Sequence, residues 1–370
     1  MFCSAQQSKF WQRLSRRITI FLMIVFWGSG CSHLGGLSFA NADHIGTVSV
    51  ANGRLFHDGE PWIPQGVVIV GRLLPKKPHG DTHFEPLITA AENFGPAELE
   101  GVRKFGADLI RLQVSQPALN PSSNLFDPDY INYVVSGVTL ARSMGFAVLI
   151  SMQWEPGSGS YHEKNMPEIE TQNAWTTLIK ALPHDNGIML ELFNEPGLDE
   201  TSAANWQIWH DDHQALITHI RQLGAKNVLV VDGLHGGAVI TTNAPAIHDP
   251  LSEIVYALHP YFNPGKIPYG PPHWDQYFGN FCASHACLVS EWNAGTFAGC
   301  INDIPSLSNA LLSYLRNKQI GLVAWAFDYH NTLMMGNSYT VTNDFKNFTS
   351  CTDNKTIYGP GALLKSYFSD

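Results

Sequence analysis

Two glutamates stand where charged residues are unexpected, each directly after an apolar run: Glu195 in LELFNEPG at 190–197, and Glu291 in LVSEWNAG at 288–295. Burying a lone carboxylate inside a packed core is costly, so both side chains should emerge where the runs end. A glycosidic bond breaks through an oxocarbenium-like transition state. It needs one carboxyl to protonate the leaving oxygen and a second to attack or stabilise the anomeric carbon. Glu195 and Glu291 supply such a pair. Other polar residues close other apolar runs: Arg111 and Gln113, Asn194, His259 and Tyr261, and Trp325 with Asp328 beyond it. Trp154, Trp292 and Trp325 also sit at run ends, where an aromatic face could stack on a sugar ring.

The elements that must carry these residues are legible from residue 45 onward. Short β-branched or apolar runs at 62–69, 107–114, 146–152, 188–194, 227–232, 254–259, 287–291 and 321–327 alternate with segments of helical period. That alternation is the pattern of βα units and a parallel sheet. Eight such runs predict a (β/α)8 TIM barrel in a single domain, 43–370, with chemistry collected at the strand C-termini. Ile131, Val134, Val135 and Val138 mark the helix after the second run, opened by Asp127-Pro128. Trp206, Trp209, Leu216, Ile220 and Leu223 mark the helix after the fourth, ending near Gly224. The segments after the first and fifth runs are irregular and predict no definite helix. Before the barrel, 48–50 and 54–56 flank Asn52-Gly53 and predict a short β-hairpin flooring it. Glu191 shares the strand parity of Glu195 and reads as an inward structural acid paired with a base.

With these motifs in order, the chain resembles glycoside hydrolase family 5, the cellulase and mannanase family among the clan A barrels, over roughly residues 45–368. The resemblance implies Glu195 as acid/base and Glu291 as nucleophile at the end of the seventh strand. It further implies that Asn194 binds the sugar 2-hydroxyl, that Arg111 hydrogen-bonds the nucleophile, and that His259 and Tyr261, in YALHPYF, form the His-x-Tyr with Tyr261 touching the nucleophile. Trp325, in GLVAWAFDYH, corresponds to the Trp that floors the sugar site. One position departs from the family: LISMQWEPG places Gln153 where many members carry a His, which puts the substrate class of close members in doubt. The expected reaction is retaining endo-hydrolysis of a polysaccharide, most like β-1,4-glucan. β-Mannanase, exo-β-1,3-glucanase and glycolipid β-glycosidase stand as alternatives on the same barrel, and a silent carbohydrate-binding barrel stands as one of another class.

The 370 residues are 44% hydrophobic and 15% charged, a composition that supports a large core. Residues 1–42 read as a secretory signal peptide: Lys9, Arg13, Arg16 and Arg17 precede the apolar run 18–27, and Ala40-Asn41-Ala42 has the form of a cleavage site. An uncleaved membrane anchor or an acylated Cys31 are the other readings of this segment. Its loss takes four cations and no acid, moving the formal charge from −10 to −14. Nucleic acid and anionic membranes would repel so acidic a chain, so a neutral poly- or oligosaccharide partner is expected. No protein partner is evident, and a monomer is expected.

Four cysteines remain after residue 42, an even number in a chain expected to be exported, which favours disulfides. Their positions around the last two strands predict Cys282 with Cys287 and Cys300 with Cys351. No zinc spacing appears among them, and His213 in His210-Asp211-Asp212-His213 lies on an apolar helical stripe as a core histidine. No metal and no cofactor are expected.

Overall fold

In a computed structural model of the chain, the described residues are 46–73, 94–153, 165–262, 270–294, 304–329, 332–335, 338–342 and 361–369. The 1–42 segment, Trp154, Cys300 and Cys351 lie outside them. The chain opens on β1 (Val48–Ala51), β2 (Arg54–His57) and β3 (Glu60–Pro61), an antiparallel sheet in the order β1-β2-β3. Asn52 at φ 51° and Gly53 at φ 69° make the first turn, both left-handed as a two-residue hairpin loop of this kind requires. Val48 and Leu55 are buried against the inward side chains at the strands' N-terminal ends, and the Val48 amide donates to the Asn186 carbonyl at 2.9 Å. The hairpin therefore floors the barrel as expected, with a short third strand added.

Eight parallel strands close the barrel: β4 (Gln65–Ile69), β5 (Leu109–Ser115), β6 (Ala147–Gln153), β7 (Ile188–Glu191), β8 (Leu229–Asp232), β9 (Ile254–Leu258), β10 (Cys287–Trp292) and β11 (Gly321–Ala324). Every expected run supplies one of them. Past the ends of β7 and β11 the chain stays hydrogen-bonded to its neighbours, the Leu192 and Asn194 amides donating to the Val230 and Met152 carbonyls and the Trp325 amide to the Trp292 carbonyl.

Around the barrel lie α1 (Pro96–Phe105), the single turn α2 (Gln116–Leu119), α3 (Pro128–Ser143), α4 (Ile169–Ala181), α5 (Ala203–Gln222), α6 (Ile304–Lys318) and α7 (Gly361–Ser369). Asp127 caps α3, its side chain accepting from the Asp129 amide, and Pro128 occupies the first turn. The segment after the first strand does contain a helix, α1, started by Pro96 and stopped at Gly106 with φ 101°. Glu98, Arg103 and Lys104 break its apolar stripe in the sequence. Between β8 and β9 the described chain runs through turns without a helix.

Strand alternation divides the core in two. Ile110, Leu112, Val148, Ile150, Leu190, Val231, Leu258 and Val289 face outward into the layer beneath the helices. Leu109, Leu149, Met189, Val230, Val255, Leu288 and Val323 face inward and fill the lower barrel. Near the seventh strand Cys282 and Cys287 form the expected disulfide, with a Cα–Cα distance of 5.6 Å. His213 is fully buried, with Nδ1 bonded to the Trp209 carbonyl at 2.8 Å, and burial lowers its pKa to about 4.

Candidate active site

Two residues beyond the lower inward layer, the same parity brings polar side chains to the barrel mouth. On β5 it passes from Leu109 to Arg111 and Gln113, on β6 from Leu149 to Ser151 and Gln153, on β7 from Met189 to Glu191, and on β8 from Val230 to Asp232. Arg111 is the centre of this layer. Its Nε donates to Glu191 Oε2 at 2.5 Å, Nη1 to Glu291 Oε2 at 2.6 Å, and Nη2 to Ser151 Oγ at 2.9 Å and Asn194 Oδ1 at 2.7 Å. These four bonds engage all three nitrogens of a guanidinium that is wholly withdrawn from solvent.

Glu291 receives three donors. Arg111 and Gln113 Nε2, at 3.3 Å, approach Oε2, and the Tyr261 hydroxyl donates to Oε1 at 3.0 Å. Burial raises the Glu291 pKa above the ordinary carboxylate value, while His259 and Arg111 pull against the rise and Glu195 adds to it. The Tyr261 hydroxyl is pushed well above its ordinary value by burial and then by Glu291, so it stays a donor.

Glu195 is the half-exposed member of the pair, with its backbone at φ 55°. A left-handed non-glycine residue costs on the order of 1 to 3 kcal/mol and persists only where its surroundings hold it. Here the Glu195 amide donates to Asp232 Oδ2 at 3.0 Å, and its Oε1 meets His259 Nδ1 at 2.9 Å. On the other side of the imidazole, His259 Nε2 meets Ser290 Oγ at 2.9 Å, and that hydroxyl donates to Glu191 Oε1 at 2.8 Å. Burial alone would lower the His259 pKa. Glu291, the bonds to Glu191 and Glu195, and Asp232 outweigh it and raise the pKa well above the usual value. An imidazolium donating from both nitrogens fits both contacts. Burial likewise opposes the Glu191 charge, yet Arg111 and His259 hold that carboxyl well below its ordinary range. Burial and then Glu191 push Asp232 well above its own. Two buried cations thus face Glu191 and Glu291.

One oxygen from each of Glu195 and Glu291 and one His259 nitrogen lie within 4.8 Å of one another, as do atoms of Glu191, Asp232 and His259. In both groups protein cations already compensate the acids: Arg111 occupies Oε2 of Glu191 and of Glu291, and His259 lies against Glu191 and Glu195.

Trp325 is half-buried over the inward cluster, its ring 5.1 Å from that of Tyr329. Trp292 departs from the expectation that it could stack on sugar. It is fully buried in the layer beneath the helices, packed edge-on against Phe262 at 5.6 Å. The cause is a shift in pairing: Val289 lies opposite Leu322 and Trp292 opposite Ala324, so three steps on β10 match two on β11. The irregularity turns Ser290 and Glu291 both toward the site and sends Trp292 outward. Gln153, where the family His aligns, is buried and donates from Nε2 to Ser151 Oγ at 2.8 Å. The sequence reading missed Ser151, Asp232 and Ser290. Asp232 was readable, since it ends the run VLVVD on the inward parity of Val230. Ser151 and Ser290 carry no signal beyond parity.

A closed barrel of eight parallel strands with paired carboxyls at its C-terminal mouth is the architecture of a glycosidase barrel. The model of the cellulase family, glycosyl hydrolase family 5, matches residues 96–331, and the chain belongs to that family. A curated relative, the β-mannanase/endoglucanase A of Caldicellulosiruptor saccharolyticus, is 24% identical over 263 residues, 66% of this chain; the match spans 18% of that relative's length. Among solved structures, the β-glucanase SdGluc5_26A of Saccharophagus degradans in complex with cellotetraose superposes with a TM-score of 0.64 at 18% identity, covering 88% of this chain and 93% of that one. The β-mannanase of Thermomonospora fusca gives 0.54 at 19%, covering 76% and 84%. These likenesses are of fold.

Proposed function

We propose that this chain is a retaining endo-β-glycanase acting on β-1,4-glucan, with Glu195 as acid/base and Glu291 as nucleophile. The observation that carries the reading is the approach of the two carboxylates to within 4.8 Å between oxygens. Retaining pairs stand about 5 to 5.5 Å apart, whereas inverting pairs need about 6.5 to 9.5 Å to admit water. Glu291, ionised beside Arg111 and Tyr261, attacks the anomeric carbon. Glu195, protonated, delivers its proton to the leaving oxygen. Once the glycosyl-enzyme forms, the charge on Glu291 is gone, and Glu195 then takes a proton from a water whose oxygen attacks the same carbon, breaking the ester bond and releasing Glu291 as a carboxylate. His259 contacts Glu195 and is placed to stabilise it when ionised.

A second reading, β-mannan as substrate, is favoured by the relative named for both activities and by the mannanase among the fold neighbours. Glucan and mannan differ at the sugar 2-position. Asn194, whose Oδ1 is held by Arg111, is the residue proposed to meet it. The basic residues, the apolar run 18–27 and the cleavage-site pattern of residues 1–42 support export, so the proposed location is extracellular or periplasmic. Purified 43–370 assayed against soluble cellulose, mannan, laminarin and xylan should release most reducing ends from cellulose. Proton NMR of the first product should show the β-anomer, and the α-anomer would overturn the assignment of Glu291.

A further inference from the structure

We propose that Asp232 is a positioning residue for the acid/base: its side chain fixes the Glu195 backbone from beneath, so that the Glu195 carboxyl meets both His259 and the leaving oxygen. The inference rests on the reading of Glu195 as acid/base. It begins with the hydrogen bonds of the chain leaving β7. The Leu192 amide donates to the Val230 carbonyl on β8 at 2.9 Å, and the Asn194 amide to the Met152 carbonyl on β6 at 3.0 Å. At Glu195 the backbone turns left-handed and its amide goes to a side-chain oxygen, Asp232 Oδ2, at 3.0 Å. A buried or half-buried amide without a partner is costly, so the turn is maintained by the oxygen that receives it.

Asp232 is itself immobilised. It ends β8, it is fully buried, and its carbonyl accepts from Trp209 Nε1 at 2.8 Å. The loop that follows continues the grip, with the His235 amide on the Leu198 carbonyl and the Gly236 amide on the Pro196 carbonyl, each at 2.9 Å. The segment 195–198 is thus held from one side by β8 and its loop, and Asp232 is the inner end of that clamp. The same Oδ2 lies 3.8 Å from His259 Nε2, so one carboxyl faces both the backbone of Glu195 and the imidazole that contacts the Glu195 side chain. Asp232 Oδ1 is buried without a partner, a penalty that packing alone does not explain.

The test measures kcat/KM of the full chain and its variants on two aryl β-cellobiosides, phenyl and 2,4-dinitrophenyl. Only the phenyl leaving group needs a proton. Asp232→Ala should lose about 10- to 100-fold on the phenyl substrate, a part of the roughly 100- to 10,000-fold that general acid catalysis supplies, and about threefold or less on the dinitrophenyl substrate. Asp232→Asn, which keeps an oxygen able to accept the Glu195 amide, should recover most of the loss and guards against a variant that fails to fold. In the Glu195→Ala background, Asp232→Ala should add nothing. Equal losses on both substrates, no recovery with Asn, or a further loss in the Glu195→Ala background would overturn the proposal. Glu195→Ala alone, if it lost both substrates equally, would overturn the acid/base reading first and independently.

Discussion

The inside of the barrel has two layers of opposite character built on one parity. Below, Leu109, Leu149, Met189, Val230 and Leu288 pack as an apolar plug; two residues further along the same strands, Arg111, Ser151, Glu191, Asp232 and Ser290 form a polar network. A step of two residues is about 7 Å, so the change of medium is abrupt. The comparison shows why the plug is needed. Charges desolvated at the mouth hold their geometry only when every partner is fixed, and the plug with its hairpin floor keeps water from the underside of Arg111. It also separates duties: the lower layer contributes stability, while the upper layer spends stability on placing the two glutamates. Buried ion pairs are seldom more stable than apolar residues of equal volume, so a network of this extent points to function.

Removing Glu291, the carboxylate that Arg111 and Tyr261 hold at the mouth, should give the largest effect. Glu291→Ala should lose activity on the order of 10⁴-fold or more on every glycoside, whatever the leaving group, with the fold retained by circular dichroism. Activity within about tenfold of the parent would remove Glu291 from the chemistry. Arg111→Met strikes the centre and removes the nearer of the two cations that face Glu191. Urea unfolding should show a loss of about 3 to 5 kcal/mol, and activity should fall in the folded fraction as well.

In the lower layer, Met189→Ala should cost about 2 to 5 kcal/mol in the same unfolding assay while kcat/KM and its pH profile stay unchanged. A displaced pH profile would show that the two layers are not separable. Trp325→Ala should weaken catalysis on oligosaccharides by about 1 to 3 kcal/mol with little change in stability, whereas Trp292→Ala should do the reverse. Equal behaviour of the two variants would contradict their different placements.

The smallest effect concerns pH. As the proposed nucleophile Glu291 must be ionised to attack, and burial raises its pKa above the ordinary carboxylate value, so kcat/KM should fall on acidification with its acid limb displaced upward from that of an ordinary carboxylate. Arg111 opposes the rise, so Arg111→Met should move the acid limb further upward in whatever activity remains. An unmoved limb would assign it to another group.

Much of this was present in the chain before folding. Eight runs, their order, the Asn52-Gly53 turn and the inward parity of Glu191 are local properties, because side-chain direction in a strand alternates with each residue. The two glutamates were legible because charges directly after apolar runs have few places to go. Other features depend on contacts between strands. Counting from Leu288, alternation alone sends Trp292 inward and Glu291 outward; the pairing of Val289 with Leu322 and Trp292 with Ala324 reverses both. Likewise, nothing near Glu195 in the sequence announces that its amide will be met by Asp232, 37 residues away on the neighbouring strand. The sequence by itself determined which strands exist and which residues end them. The tertiary structure decided which side chains share the mouth, because register and bulges arise from hydrogen bonds between neighbouring strands that no single strand encodes.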